Sequence, residues 1–232
     1  MRTFAPLLAL LAAVLAAAPP ARAAAPVVVE LYTSQGCSAC GKANSLIAAL
    51  AKRPDVLPLT FAVDYWDYLG WTDTYAKPEF TARQRTFMRR LAQRDVYTPQ
   101  VIVDGRSQVS GARAETVDDL IRDAARSRAG APQMRFFAGQ FVRVEAGRAV
   151  RGGAEVWLVR YEVQPEAVEV KQGEARGQTV TYVNAVRELI RLGSWTGRRR
   201  TYALPKAGDD DLRTAVVLQG AKGGRILGVL QR

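Results

Sequence analysis

Hydrophobic positions along this chain follow two different rhythms. From Val27 to Arg128, β-branched apolar runs alternate with segments whose apolar residues recur every three or four positions. Val27-Val28-Val29 with Leu31 and Tyr32 predicts a buried strand. Ala43, Leu46, Ile47 and Leu50 predict a helix, which Arg53-Pro54 ends. Val56–Asp64 predicts a second strand, followed by an aromatic segment, Tyr65–Asp73. A helix is expected over Tyr75–Arg94, with Phe80, Phe87, Met88 and Leu91 inward and the arginines outward. Val101-Ile102-Val103 predicts a third strand, and Asp104-Gly105 turns it into a fourth at Gln108-Val109. Ala114–Arg128 is amphipathic, with Val117, Leu120, Ile121, Ala124 and Ala125 on one face. The predicted order is β-α-β-α-β-β-α.

Beyond Ala129-Gly130-Ala131-Pro132, an expected linker, the rhythm changes to short alternating runs. They cover Arg135–Val144, Glu155–Val163, Val168–Val170, Thr179–Val183, Thr214–Leu218 and Ile226–Leu230, with turns at Gly152-Gly153 and Gly223-Gly224. Asn184–Leu192 alternates well enough to continue as a strand from Tyr182. The fold class expected is an α/β domain over 24–130 followed by a smaller antiparallel β-rich domain over 131–232. The second half has no nucleophile–base pair, metal cluster or phosphate loop in its sequence. It is expected to stabilise the first half or to bind a partner.

The N-terminus changes the setting. Met1-Arg2, the apolar run Leu7–Ala18 and Ala21-Arg22-Ala23 fit a secretory signal peptide over 1–23. The run is short for a membrane span and is broken by Pro19-Pro20, so no stable membrane insertion is expected after its removal. A periplasmic or secreted location follows as the expectation. The formal charge is +11 over 232 residues and falls to +9 without Arg2 and Arg22. In an exported protein this argues for an anionic cell surface, an acidic protein or a solvated arginine-rich surface, and against nucleic acid.

The candidate chemistry lies in Cys37 and Cys40, the two cysteines of the chain, between the first strand and the first helix. A helix N-terminus stabilises a thiolate through unpaired N–H groups and the helix dipole. A second cysteine one turn later can displace the first from a mixed disulfide. Zinc would need further cysteine or histidine ligands, and the chain has no histidine. No metal or cofactor is expected. A structural disulfide is the competing reading, although so short a loop removes little chain entropy. Thr98-Pro99, directly before a buried strand, implies a sharp turn or a cis bond. Four aromatics in Tyr65–Trp71 suit either a cleft wall or core plugs, with Trp66 and Trp71 the candidate substrate contacts.

These residues together resemble the thioredoxin fold over Val27–Arg128. More narrowly, ELYTSQGCSAC, VDYWDYLGW, FTARQR, VYTPQVIVDG and VTYVNAVRELIRLGSW resemble a family of secreted bacterial thioredoxin-like proteins of unknown function. The family pattern has a histidine where Ala62 stands and a proline where Gly41 stands. The fold resemblance implies that Pro99 is cis and shapes the site, that the Thr98 backbone pairs with substrate, and that a buried acid, for which Glu30 is the candidate, assists proton transfer. The function expected is thiol–disulfide exchange with protein or small-molecule thiols and disulfides. Cys37 would attack and Cys40 resolve. The alternative is a non-catalytic envelope binding or scaffold protein with a structural disulfide. An exposed Cys37 would favour the first, and a fully buried pair the second.

Overall fold

The structure is a computed structural model describing residues 25–127, 130–164, 166–208 and 211–232. The expected signal peptide, residue 128 at the end of the expected third helix and residue 129 at the start of the expected linker lie outside the described residues.

The first half runs β1 (Val27–Thr33), a 3-10 turn (Ser38–Cys40) leading straight into α1 (Gly41–Leu50), β2 (Val56–Ala62), α2 (Pro78–Arg90), β3 (Gln100–Val103), β4 (Ser107–Ser110) and α3 (Ala114–Arg126). This is the order the apolar periodicity predicts. α2 is shorter than expected because Pro78 sits in its first turn, where a proline's missing N–H costs no helical bond. The second half contributes β5 (Met134–Phe137), β6 (Phe141–Val144), β7 (Ala154–Glu162), β8 (Glu166–Glu169), β9 (Thr179–Tyr182), β10 (Ala185–Trp195), β11 (Arg200–Ala203), β12 (Arg213–Gly220) and β13 (Ile226–Gln231). The run expected over Arg135–Val144 is broken into β5 and β6 by a turn with Ala138 and Gly139 at positive φ. The alternating stretch after Tyr182 is also interrupted, because Asn184 adopts φ 51° before β10 begins.

The two halves share one mixed sheet, ordered β13-β12-β7-β10-β2-β1-β3-β4. Smaller antiparallel sheets, β11-β6-β5 and β8-β9, pack around it. The junction is narrow: β10 meets β2 in parallel at Ala185 and Thr60. Thr60 N–H donates to Asn184 O at 3.0 Å, so by strand alternation Pro58 also faces β10. Its missing N–H therefore costs the β1–β2 ladder nothing, and its carbonyl accepts from Asn184 Nδ2 at 2.8 Å.

Odd-numbered residues of β1 (Val27, Val29, Leu31) pack beneath α1 and α3 with Ala43, Ile47, Val117 and Ile121. Even-numbered Val28 and Tyr32 face α2 with Phe61, Phe80 and Phe87. In the second half, Val156 and Leu158 of β7 pack towards the β5-β6-β11 sheet around Trp195, while Val159 and Tyr161 join the α2 face.

On the α2 face one arginine departs from the expected outward pattern. Arg83 is 8% exposed, and it grips Glu30 through Nε at 2.7 Å and Nη2 at 2.8 Å. Tyr32 Oη donates to the same carboxylate at 2.7 Å. Arg83 also donates to Gln219 of β12 at 3.1 Å and stacks near Phe61, Phe87 and Trp157. Burial works against the guanidinium's charge, but Glu30 outweighs it and holds the Arg83 pKa above its ordinary value.

Removing either partner leaves a buried charge unpaired. Glu30→Leu and Arg83→Met are each expected to lower unfolding free energy by about 3–5 kcal/mol, with the double variant losing much less than the two losses added. Urea denaturation of the four proteins checks this, and additive losses would contradict it.

Candidate functional site

The β1–α1 connection carries the cysteines. Cys37 and Cys40 form a disulfide at the head of the continuous helical run over 38–50. Both are buried, at 2% and 1% exposure. Cys37 N–H donates to Ser34 O at 3.1 Å, and Gly36 N–H to Ser34 Oγ at 3.1 Å, so the turn entering the pair is internally bonded.

Gln35, fully buried, anchors that turn to the aromatic segment. Its side-chain oxygen accepts from Trp71 Nε1 at 2.9 Å, its Nε2 donates to Thr74 Oγ1 at 2.9 Å, and its backbone N–H donates to Asp73 Oδ2 at 2.7 Å. Asp73 also accepts from Tyr75 N–H at 2.9 Å and from Tyr182 Oη at 2.8 Å. Burial pushes the Asp73 pKa up, against the three donors that favour its carboxylate. One carboxyl group thus ties together the cysteine turn, the aromatic segment and β9.

The Thr98–Pro99 bond is cis. α2 fixes both flanks of this dipeptide through Gln84, whose Nε2 donates to Tyr97 O at 2.8 Å and to Gln100 Oε1 at 2.9 Å. Gly111, whose N–H bonds Pro99 O at 3.0 Å, brings the proline to α1. A Cβ there would stand 2.6 Å from Ala43 Cβ and 3.2 Å from Pro99 Cβ, so only glycine fits. Trp66 spans the gap between the two loops. Its Cβ lies against Gly36, and its Nε1 donates to Thr98 Oγ1 at 2.8 Å.

The structure therefore gathers Cys37, Cys40, Thr98, Pro99, Trp66 and Trp71 at one end of the sheet. Trp66 and Trp71 are neither free cleft walls nor fully buried plugs: both are half-buried and hydrogen-bonded. Tyr68 is the aromatic of the segment most open to solvent, at 82%. Glu30 is buried and lies on the sheet face opposite α1, bound to Arg83 and Tyr32. Among the described residues no group of three or more His, Cys, Asp or Glu is placed to hold a metal.

A hairpin from the second half covers this end of the sheet. Ser38 Oγ donates to the Glu174 carboxylate in the β8–β9 turn. Gly173, at φ 78°, lies against the Leu69 carbonyl and Trp71. Val170 and Ala175 are fully buried against Ala62, Tyr75 and Tyr182, and Tyr75 Oη donates to Glu166.

The chain belongs to the DUF1223 family. That family comprises proteins of unknown function, and its model matches residues 28–219. The crystal structure of protein AGR_C_4864 from Agrobacterium tumefaciens is 34% identical, with 91% of this chain and 95% of that one covered and a TM-score of 0.74. HBP35 of Porphyromonas gingivalis shares the fold at 12% identity and a TM-score of 0.60, over 90% of this chain and 75% of that one. No curated protein matches the chain.

Several residues that build the site in this DUF1223 protein had no weight in the sequence. Gln35 and Asp73 stand inside motifs, but their bond joins positions 38 apart, which no local pattern reports. Glu174 and Tyr182 lie in the half read as an appendage. A buried Asp with three donors is a strong positional lock. Asp73→Asn places an amide N–H against one of those donors and is expected to cost about 1–3 kcal/mol. A thermal or urea unfolding midpoint equal to the parent's would contradict this.

Proposed function

We propose that this DUF1223 protein is an exported, thioredoxin-like protein that exchanges thiols and disulfides through Cys37 and Cys40, beneath a cover formed by the β8–β9 hairpin. The observation that carries the reading is the cysteine pair at the head of a helix, bridged by Trp66 to the Thr98–Pro99 loop. The order β-α-β-α-β-β-α around it supports a thioredoxin-like fold. A disulfide suits an oxidising compartment, in keeping with the signal-like N-terminal sequence. No helix among the described residues is long and apolar enough to cross a membrane.

In the oxidised form, a thiolate of a partner dithiol attacks Cys37 Sγ, forming a mixed disulfide and releasing Cys40 as the thiolate. The partner's second thiolate then attacks its own sulfur in that bond and releases Cys37. Two electrons pass from the partner, which leaves as a disulfide, and the cysteines take up its two thiol protons. The reverse sequence reduces a partner disulfide, with Cys37 as the attacking thiolate. Its place at the helix N-terminus favours that role over Cys40. Thr98 offers backbone to an extended partner, Pro99 shapes the floor, and the aromatic segment supplies contact surface.

Burial of both cysteines favours the second reading, a scaffold with a structural disulfide. The two readings part on access. If the hairpin is a cover, Glu174→Ala, which removes the Ser38 contact, speeds reduction by a protein dithiol more than by dithiothreitol, and reduced Cys37 is alkylated before Cys40. If neither reductant opens the disulfide of parent or variant without denaturant, the pair is structural and exchange is excluded.

A further inference from the structure

At the other end of the sheet lies a second candidate site. Asp104, at the end of β3, bonds Val28 at the start of β1, whereas the cysteines follow its far end. Seven strand residues put the two ends on the order of 20 Å apart.

The geometry of α2 creates the site. A helix is about 10 Å wide and strands are about 4.8 Å apart, so one helix covers roughly two strands. The apolar face beneath α2 runs from β1 across β2 to residues of β7, β10 and β12. Where α2 stops short, a slot of about 220 Å³ remains between Ala82 and Phe87 on one side and Trp157 and Leu189 on the other. Glu79, Arg83 and Glu155 also line it. Arg83 is held by Glu30 and Gln219, and Glu155 by Arg191 at 2.8 Å.

The slot opens beside a groove of about 960 Å³ and shares Thr86, Glu155 and Trp157 with it. Arg89, Arg90, Arg151, Arg191, Lys222 and Arg225 line the groove, against the single carboxylate of Glu155. Arg90, Arg151, Lys222 and Arg225 make no ion pair among the described residues. Like charges gathered this way repel unless an anion lies among them.

The turn that presents Lys222 and Arg225 is closely packed. A Cβ on Gly223 would stand 3.0 Å from Thr86 Cγ2, one on Gly224 3.0 Å from the Gly220 backbone, and one on Gly105 2.6 Å from Gly224 O. Lys222 itself adopts φ 56°, a conformation that glycine or asparagine takes at less cost.

We propose that slot and groove together bind a single anionic phospholipid. The chain enters the apolar slot over Trp157 and Leu189, and the headgroup phosphate sits among Arg151, Lys222 and Arg225. Guanidinium groups match phosphate in charge and in planar, bidentate geometry. An apolar slot continuous with a cationic groove selects a ligand that is both.

Calorimetric titration of the purified protein with dihexanoyl phosphatidic acid, kept below its micelle concentration, tests this. The expected result is one-to-one binding at least tenfold tighter than dihexanoyl phosphatidylcholine or inorganic phosphate. Arg151→Glu with Arg225→Glu, both exposed positions, should weaken it at least tenfold. Ala82→Trp, which fills the slot from the exposed side of α2, should weaken phosphatidic acid and leave inorganic phosphate unchanged. The surface pair carries the test if Ala82→Trp does not fold. No binding, equal binding of inorganic phosphate or of the zwitterionic lipid, or indifference to the charge reversals would each overturn the proposal.

Discussion

The buried pair of Glu30 and Arg83 is the contact on which the arrangement of the two chain halves turns. Glu30 comes from β1 at the centre of the first half, Arg83 from α2, and their neighbour Gln219 from β12 in the second half. Gln219 continues the chain of bonds to Gly224 O at 2.8 Å. An ion pair so deep gains little net stability over apolar packing, but it tolerates no misalignment, since a broken pair strands two charges. It therefore acts on register. α2 is fixed along the sheet, the second half is fixed to α2, and the rings of Phe61, Phe87 and Trp157 keep water from the charges.

Fixing that register has a consequence at each end of the sheet. At one end, β9 arrives where Tyr182 reaches Asp73, and the β8–β9 hairpin reaches Ser38 between the two cysteines. The second half thus places a residue, Glu174, directly beside the cysteine turn. At the other end, the single helix leaves part of a broad apolar face open, and the β12–β13 turn places cations at its rim.

The first half was legible in the sequence because its signals are local. Apolar periodicity places α1 and α3, the β-branched run places β1, and Cys37, Cys40 and Pro99 announce themselves by residue type and neighbours. The inward turn of Arg83 was not legible. Helical periodicity gives an arginine no reason to face the core, and the reason, Glu30, lies 53 residues away. The same limit hid the junction of β2 with β10, which rests on Asn184 reaching Pro58 across 126 residues. For the site, residue type picked out the cysteine pair, but the hairpin residue that reaches its turn, Glu174 bonding Ser38, lies 136 residues away. Trp66 and Trp71, which the sequence leaves open between cleft wall and core plug, are half-buried and bonded to Thr98 and Gln35, partners that come from other loops.

A redox-active pair and a structural disulfide differ most directly in their equilibrium with a thiol buffer. Equilibrating the native protein with defined dithiothreitol or glutathione ratios and trapping free thiols gives the reduction potential of Cys37–Cys40. The account predicts a value between roughly −120 and −270 mV, the span of thiol–disulfide oxidoreductases. A value below about −300 mV, where structural disulfides of secreted proteins lie, would contradict it.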